Sequence, residues 1–153
     1  GRSIVYARRA MRHKLLIAAA LSLPGACAPQ FGDNCSTTTE CSVAGDRYCD
    51  LAQPGGYCTQ INCEPKSCGD DGVCVLFNPG QPRLSSSWCM AKCGGNGDCR
   101  DKYVCRSAKQ LGAADPSVPG QEPPINEEQT CGPLDLACVV DSNKTQKFCV
   151  VEE

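Results

Sequence analysis

Cysteine constrains this chain more than any other residue, with 15 cysteines among 153 residues. A content of about one residue in ten is typical of a disulfide scaffold. Structural disulfides persist in oxidising, exported environments and are rare in the cytosol. The composition therefore predicts a small disulfide-rich protein outside the cytosol and argues against a cytosolic enzyme.

The first 26 residues consist of a short N-terminal extension followed by a segment with the layout of a secretory signal peptide. A basic stretch at residues 12–14 follows Met11, then an apolar run at residues 15–23 and a small-residue exit at residues 24–26. We expect translation to begin at Met11; the alternative is a long basic region that includes residues 1–10. The apolar run is too short to span a membrane, which takes about 20 residues.

The end of this signal carries a cysteine, in the segment Leu23-Pro24-Gly25-Ala26-Cys27. The segment resembles the lipobox of bacterial lipoproteins, with Pro24 where that family usually has leucine. The resemblance implies that Cys27 is the lipid attachment site and that residues 27–34 form a tether. The alternative is ordinary secretion with cleavage after Ala28, at an A-x-A site. Under either interpretation Cys27 leaves the disulfide pool, and 14 cysteines remain to pair.

The exported part of the chain is acidic and poor in large aliphatic residues. Residues 27–153 contain 10 Lys and Arg against 17 Asp and Glu, a formal net charge of −7. This balance argues against nucleic acid as a partner, because nucleic-acid binding needs clustered cations. Leu, Ile, Val and Phe make up 20 of these 127 residues. We expect a thin core that depends on cross-links for its stability.

The cysteine spacing divides into three similar groups of four and a final pair. In each group the first three cysteines are close together, and the gap to the fourth varies, as in tandem disulfide units. An aromatic residue precedes the fourth cysteine of the first two groups, at Tyr57 and Trp88. The predicted fold class is small and disulfide-rich, with tandem short β-hairpin units, little regular secondary structure and a thin core. The predicted disulfide-forming residues are Cys35, Cys41, Cys49, Cys58, Cys63, Cys68, Cys74, Cys89, Cys93, Cys99, Cys105, Cys131, Cys138 and Cys149.

The same spacing predicts how the chain is divided. Residues 35–62 form unit 1, residues 63–92 form unit 2, and residues 93–106 begin unit 3. A flexible proline-rich insertion occupies residues 107–130, and a cysteine-rich segment closes the chain at residues 131–153. The insertion could alternatively be an extended strand offered to a partner or protease. Residues 78–87 are predicted to form an exposed hairpin tip.

The units resemble EGF-like and dickkopf-like cysteine-rich modules, which pack small hairpins between crossed disulfides. By analogy with such modules, we expect first-to-third and second-to-fourth pairing within each group, and a Cys138–Cys149 bond in the tail. The C-x-C motif of EGF domains is absent, so that family's calcium-binding and receptor roles are not implied. The complete layout is similar to that of cysteine-rich bacterial surface lipoproteins.

The exported part of the chain lacks the residues and motifs that most catalytic and metal-binding sites need. The single histidine is His13, within the signal, which removes Ser-His-Asp and Cys-His catalysis and histidine-ligated metals. The chain has no C-x-x-C and no phosphate-binding loop. We therefore predict no enzyme, no catalytic residue, no metal site and no cofactor.

A few residues remain as weaker candidates. Asp70 and Asp71 precede a glycine but lack the spacing of a calcium loop. Asp98 and Asp101 could do acid–base work, although surface carboxylates are common. Asn34 and Asn143 begin N-glycosylation sequons, which would matter in a eukaryotic secretory protein. The large rings that could bind a ligand, or could simply pack on disulfides, are Trp88, Tyr57, Tyr103 and Phe77.

The favoured function is a secreted or surface-tethered, non-enzymatic protein of the bacterial envelope. It would have a binding or structural role towards an unknown protein or surface ligand, and would contact a membrane only through its N-terminal lipid. It would be exported, either as an outer-membrane or cell-surface lipoprotein or as a secreted extracellular protein. The alternative is a disulfide-rich inhibitor or toxin-like effector that acts through an exposed loop, with Arg83 in the 78–87 tip as the bait residue.

Overall fold

The computed structural model describes residues 28–111 and 131–152, and these residues form short antiparallel strands joined by turns. The predicted small disulfide-rich fold class is confirmed. Among the described residues the elements are α1 (Thr38–Cys41), β1 (Tyr48–Cys49), β2 (Cys58–Thr59), β3 (Gly72–Phe77), β4 (Ser86–Cys93), a 3₁₀ helix (Asn96–Asp98), β5 (Tyr103–Arg106), α2 (Ala108–Leu111), β6 (Ala137–Val139) and β7 (Lys147–Val151).

The strands form one two-stranded and one five-stranded antiparallel sheet. β1 pairs with β2, and the larger sheet has the order β5-β7-β4-β3-β6. β4 pairs with β3 along most of its length and with β7 at Lys92 and Cys93. One strand therefore continues across the expected boundary between units 2 and 3 and joins them in a single sheet.

β3 is buried on both faces, which explains its run of apolar residues rather than a strict alternation. Val73 and Val75 lie in the main apolar core with Val139 and Phe148. Cys74, between the two valines, lies instead in a cluster of half-cystines and Phe31. The core is thin, and sulfur occupies much of the interior that aliphatic side chains fill in larger domains.

Each unit contains a pair of cysteines in register on neighbouring antiparallel strands. These pairs are Cys49 and Cys58, Cys74 and Cys89, and Cys105 and Cys149. One cysteine of each pair bonds to the first cysteine of its unit, and the other bonds to the second. The disulfides are Cys35–Cys49, Cys41–Cys58, Cys63–Cys74, Cys68–Cys89, Cys93–Cys105, Cys99–Cys149 and Cys131–Cys138.

The pairing expected by analogy is found in units 1 and 2 but was wrong in part of unit 3. Cys99 bonds to Cys149 rather than to Cys131, and Cys131 bonds to Cys138, so the Cys138–Cys149 bond expected in the tail was also wrong. The physical reason is strand pairing. β7 places Cys149 directly opposite Cys105 on β5, within reach of Cys99 in the preceding turn. The Cys131–Cys138 bond then closes its own short loop beside β6.

The segment expected to be a flexible insertion begins with ordered structure. Ala108–Leu111 forms the one-turn helix α2, and Ala108 is buried in the core with Val75 and Ala137. Residues 112–130 lie outside the described residues. The described start of the insertion therefore contributes to the core.

The glycine-rich turn at residues 54–56 requires glycine. Gly55 and Gly56 have φ of 76° and 70°, in the left-handed region that glycine adopts without strain. A Cβ on Gly56 would lie 2.0 Å from the carbonyl oxygen of Cys35. No other residue would let the chain pass this close to the Cys35–Cys49 disulfide.

Candidate functional site

The sulfur clusters do not form a metal centre. In each unit, three of the four sulfurs lie within 4.8 Å of one another. All of these sulfurs are in disulfides, and the ligand for a metal is a thiolate. The clusters are pairs of crossed disulfides, and their role is to brace the fold.

Two of the four candidate rings, Tyr57 and Tyr103, lie inside the junction between units 1 and 3. Their ring centroids are 5.5 Å apart, and the guanidinium of Arg100 lies 4.2 Å from the Tyr103 centroid. Arg100 donates hydrogen bonds to Asn34 Oδ1, the Gly56 carbonyl and the Tyr103 hydroxyl. One cation therefore joins unit 1 to unit 3, and the two rings serve packing rather than ligand binding.

Burial strongly raises the pKa of the Tyr57 hydroxyl. It accepts a hydrogen bond from the Ala91 N–H at 2.9 Å and donates to the Cys149 carbonyl at 3.5 Å. Loss of solvent raises the pKa of Tyr57 to about 12, and burial also raises the pKa of Tyr103. Both groups are neutral structural donors at ordinary pH.

A second cation joins the N-terminal end of the described chain to unit 2. The Arg47 guanidinium lies 3.8 Å from the centroid of the Phe31 ring and donates to Asp71 Oδ2 at 3.2 Å. The same carboxylate accepts the Phe31 N–H at 3.0 Å. Asp71 is thus committed to internal contacts, whereas Asp70 beside it is exposed.

A cavity of about 150 Å³ lies between these two junctions. Most of the polar side chains around it have partners, but the buried Arg100 Nε has none among the described residues. Asp98 accepts the N–H groups of Gly94 and Gly95, which lower the pKa of its carboxyl. Asp101 is exposed beyond this turn. Because no set of free polar groups converges on the cavity, it lacks the usual anatomy of a ligand site.

The other two candidate rings belong to the larger sheet. Phe77 makes an edge-to-face contact with buried Phe148, with centroids 6.4 Å apart. Trp88 is half-buried, lies 5.9 Å from Tyr48 and donates from its indole to Ser86 Oγ at 2.7 Å. Both rings keep a partly exposed surface.

The predicted hairpin tip projects between β3 and β4, where residues 78–85 connect the two strands. The Cys131–Cys138 loop braces it. The Asn78 N–H donates to the Leu136 carbonyl at 2.8 Å. Gly80 lies so close to this loop that a Cβ would be 1.8 Å from the Pro133 carbonyl oxygen. The tip and the loop therefore form one rigid end of the sheet, which we call the braced tip (residues 78–85 and 131–136).

Exposed leucines gather on the braced tip. Leu84, Leu134 and Leu136 are 63%, 94% and 51% exposed, and all three belong to its two segments. Exposed apolar residues grouped at one place are a common feature of protein interaction surfaces. The braced tip is thus the best candidate for contact with another molecule in the described part of the chain.

Arg83 is exposed at this tip, but its backbone is folded into a turn. The Leu84 and Ser85 N–H groups both donate to the Gln81 carbonyl at 2.8 Å. An extended backbone is the form in which a peptide pairs with the strand of another protein. The turn at Arg83 therefore does not suit the bait role considered from the sequence.

The remaining candidates are the lipid-attachment cysteine and the two sequons. Cys27 lies outside the described residues, which begin at the next position. Asn34 lies at the Arg100 junction, and Asn143 lies in the exposed turn between β6 and β7. The two arginine–aromatic junctions were not predicted from the sequence, because each joins segments that are far apart along the chain, as Arg100 does with Gly56.

No protein-family model, curated protein or solved structure matches this chain. None of the helices in residues 28–111 and 131–152 has the length and apolar character to cross a membrane. Seven disulfides across a body of short antiparallel strands define a disulfide-rich protein of the secreted or extracellular class.

Proposed function

We propose that this chain is a non-enzymatic protein of the bacterial envelope, held at the membrane by a lipid on Cys27, with a binding or structural role. The observation that supports the proposal is how few residues separate Cys27 from the first residue fixed in the folded body. Phe31 is 5% exposed and fixed by Asp71 and Arg47. The four residue steps from Cys27 to Phe31 reach at most about 14 Å. A lipid on Cys27 would thus hold the body against the membrane surface.

A binding or structural role fits the distribution of polar groups. Residues 27–153 contain no histidine. The carboxylates and tyrosines around the cavity between the Arg100 and Arg47 junctions are engaged in internal hydrogen bonds. The braced tip, in contrast, offers exposed leucines on a rigid support. A rigid surface loses little conformational entropy on binding, which favours recognition of a partner.

The three units are proposed to be copies of one module that resembles EGF-like and dickkopf-like domains. Support comes from their shared arrangement, in which the cysteines paired across the strands bond back to two cysteines in the preceding loop. In unit 3 the chain between these strands is longer and includes β6, which adds to the sheet beside β3.

Metabolic labelling with radioactive palmitate tests the tether directly. The full chain is expressed in a bacterium that processes lipoproteins, as wild type, Cys27→Ser and Ala28→Val. The Ala28→Val control removes the small residue needed for ordinary cleavage at the A-x-A site and keeps Cys27. We expect label in the wild type and the control and none in Cys27→Ser. Equal label in Cys27→Ser, or an unlabelled wild type, would disprove the tether.

A further inference from the structure

We propose that Asn143 is an acceptor for N-linked oligosaccharide and that Asn34 is not. Both residues begin a sequon, Asn143-Lys144-Thr145 and Asn34-Cys35-Ser36. The structure places them in very different surroundings. The inference requires export to a compartment that holds an oligosaccharide transferase, and it rests neither on the bacterial envelope nor on the lipid on Cys27 proposed above.

The Asn143 sequon occupies the exposed turn between β6 and β7. The Thr145 hydroxyl donates to Asn143 Oδ1 at 2.9 Å, and the Thr145 N–H donates to the same oxygen at 3.3 Å. No described residue accepts a hydrogen bond from Asn143 Nδ2. The nitrogen that a sugar would join is therefore open, while the hydroxyl that defines the sequon already contacts the side-chain amide.

The middle residue of this sequon keeps the turn clear. The Lys144 ammonium donates to the carbonyl groups of Val139 and Val140 at 3.0 and 3.1 Å. Its side chain is thus folded back onto the end of β6. Asn143 and Thr145 remain exposed on either side of it, so an oligosaccharide on Asn143 displaces no described packing contact.

The Asn34 side chain is also exposed, but its sequon is held by internal contacts. Asn34 Oδ1 accepts a hydrogen bond from Arg100, the cation that joins unit 1 to unit 3. The middle residue, Cys35, is bonded to Cys49 and buried. The backbone of Ser36 is engaged as well, because its N–H donates to Glu40 Oε2. A sugar on Asn34 would compete with the Arg100 junction.

The transfer needs a second substrate, which is an oligosaccharide linked through pyrophosphate to a lipid. Asn143 Nδ2 forms a bond to the anomeric carbon of the first sugar, and the bond from that carbon to the pyrophosphate oxygen breaks. The lipid pyrophosphate leaves with the electron pair. One amide proton passes to a base of the transferase, and no oxidation or reduction occurs.

The test is the intact mass of chain exported from a eukaryotic host, with a host signal peptide in place of residues 1–28, which removes the unpaired Cys27. We expect one oligosaccharide, removed by an amidase that converts the glycosylated Asn to Asp. Asn143→Gln and Thr145→Val should lose the modification. Thr145→Ser, which keeps the hydroxyl, and Asn34→Gln should retain it. Free-thiol assays on each variant verify that the disulfides have formed.

Three results would overturn the proposal. The first is an unmodified wild type that is exported with its disulfides complete. The second is an oligosaccharide that survives Asn143→Gln. The third is one that disappears in Asn34→Gln, which would place the acceptor at the junction with Arg100.

Discussion

Removal of the Cys99–Cys149 disulfide should destabilise the protein more than removal of Cys131–Cys138. The two bonds close loops with sequence separations of 50 and 7. In the chain-entropy model these separations correspond to about 4 and about 2 kcal/mol, because the longer cross-link removes more freedom from the unfolded chain. The variants to compare are Cys99→Ala/Cys149→Ala and Cys131→Ala/Cys138→Ala.

Packing adds little to this difference. Each variant truncates one buried cysteine, Cys149 or Cys138, and one that is at least partly exposed, Cys99 or Cys131. The expected difference in the free energy of unfolding between the two variants is therefore about 2 kcal/mol.

Urea unfolding without reductant measures both variants, with the midpoint and the slope taken from the same transition. The Cys131→Ala/Cys138→Ala variant serves as the matched control, because it also removes one disulfide and two sulfurs. If the control lost as much stability as the Cys99 and Cys149 variant, the assignment of the long-range bond to unit 3 would be refuted.

A tryptic digest of the unreduced wild type tests the pairing itself. Cleavage after Lys and Arg separates residues 93–100, 103–106, 110–144 and 148–153. The structure predicts one linked species of 93–100, 103–106 and 148–153, with 110–144 released alone because its disulfide is internal. The pairing expected by analogy would instead link all four peptides.

Three further outcomes are expected. Phe148→Ala should cost about 3–5 kcal/mol in urea unfolding, because the ring is fully buried against Phe77; a loss below about 1 kcal/mol would contradict this placement. Burial raises the pKa of Tyr57 from 10.0 to about 12, so the folded protein holds this proton more tightly than the unfolded chain. The stabilisation, about 3 kcal/mol, should be complete below pH 10 and disappear as the pH rises through about 12. Tyrosinate absorbance should accordingly rise late in the wild type, and Tyr57→Phe should lose one late-titrating group. The protein should not inhibit trypsin. If trypsin cleaves the protein after Arg83, the two parts of the chain should stay joined by the Cys68–Cys89 bond until reduction. Tight inhibition of trypsin would instead support the bait role of Arg83.

The sequence contains an indication of the disulfide pairing in unit 3 that cysteine spacing alone did not reveal. An aromatic residue precedes the fourth cysteine in units 1 and 2. Cys149 follows Phe148 in the same way, but Cys131 follows Thr130. Phe148 is fully buried in the main core. The aromatic residue on the last strand therefore marks the true fourth cysteine, because the ring and the disulfide are fixed by the same strand.

Spacing could not decide between these two cysteines on energetic grounds. The gap from Cys105 is 25 residues to Cys131 and 43 residues to Cys149. Loop-closure entropy grows only with the logarithm of length, so the longer gap costs about 0.5 kcal/mol more. A single strand pairing, such as that of Cys105 with Cys149, outweighs this difference.

The amino-acid sequence by itself determined that the protein depends on disulfides, because 20 large aliphatic and phenylalanine residues among 127 cannot form a sufficient core. The resemblance to small disulfide modules led to the pairing found in units 1 and 2, where all partners are close along the chain. Only the tertiary structure decided how the units join. Arg100 reaches residues 44 and 66 positions away in Gly56 and Asn34. Contacts of this kind depend on how the folded units pack against one another, and no local pattern of residues predicts that packing.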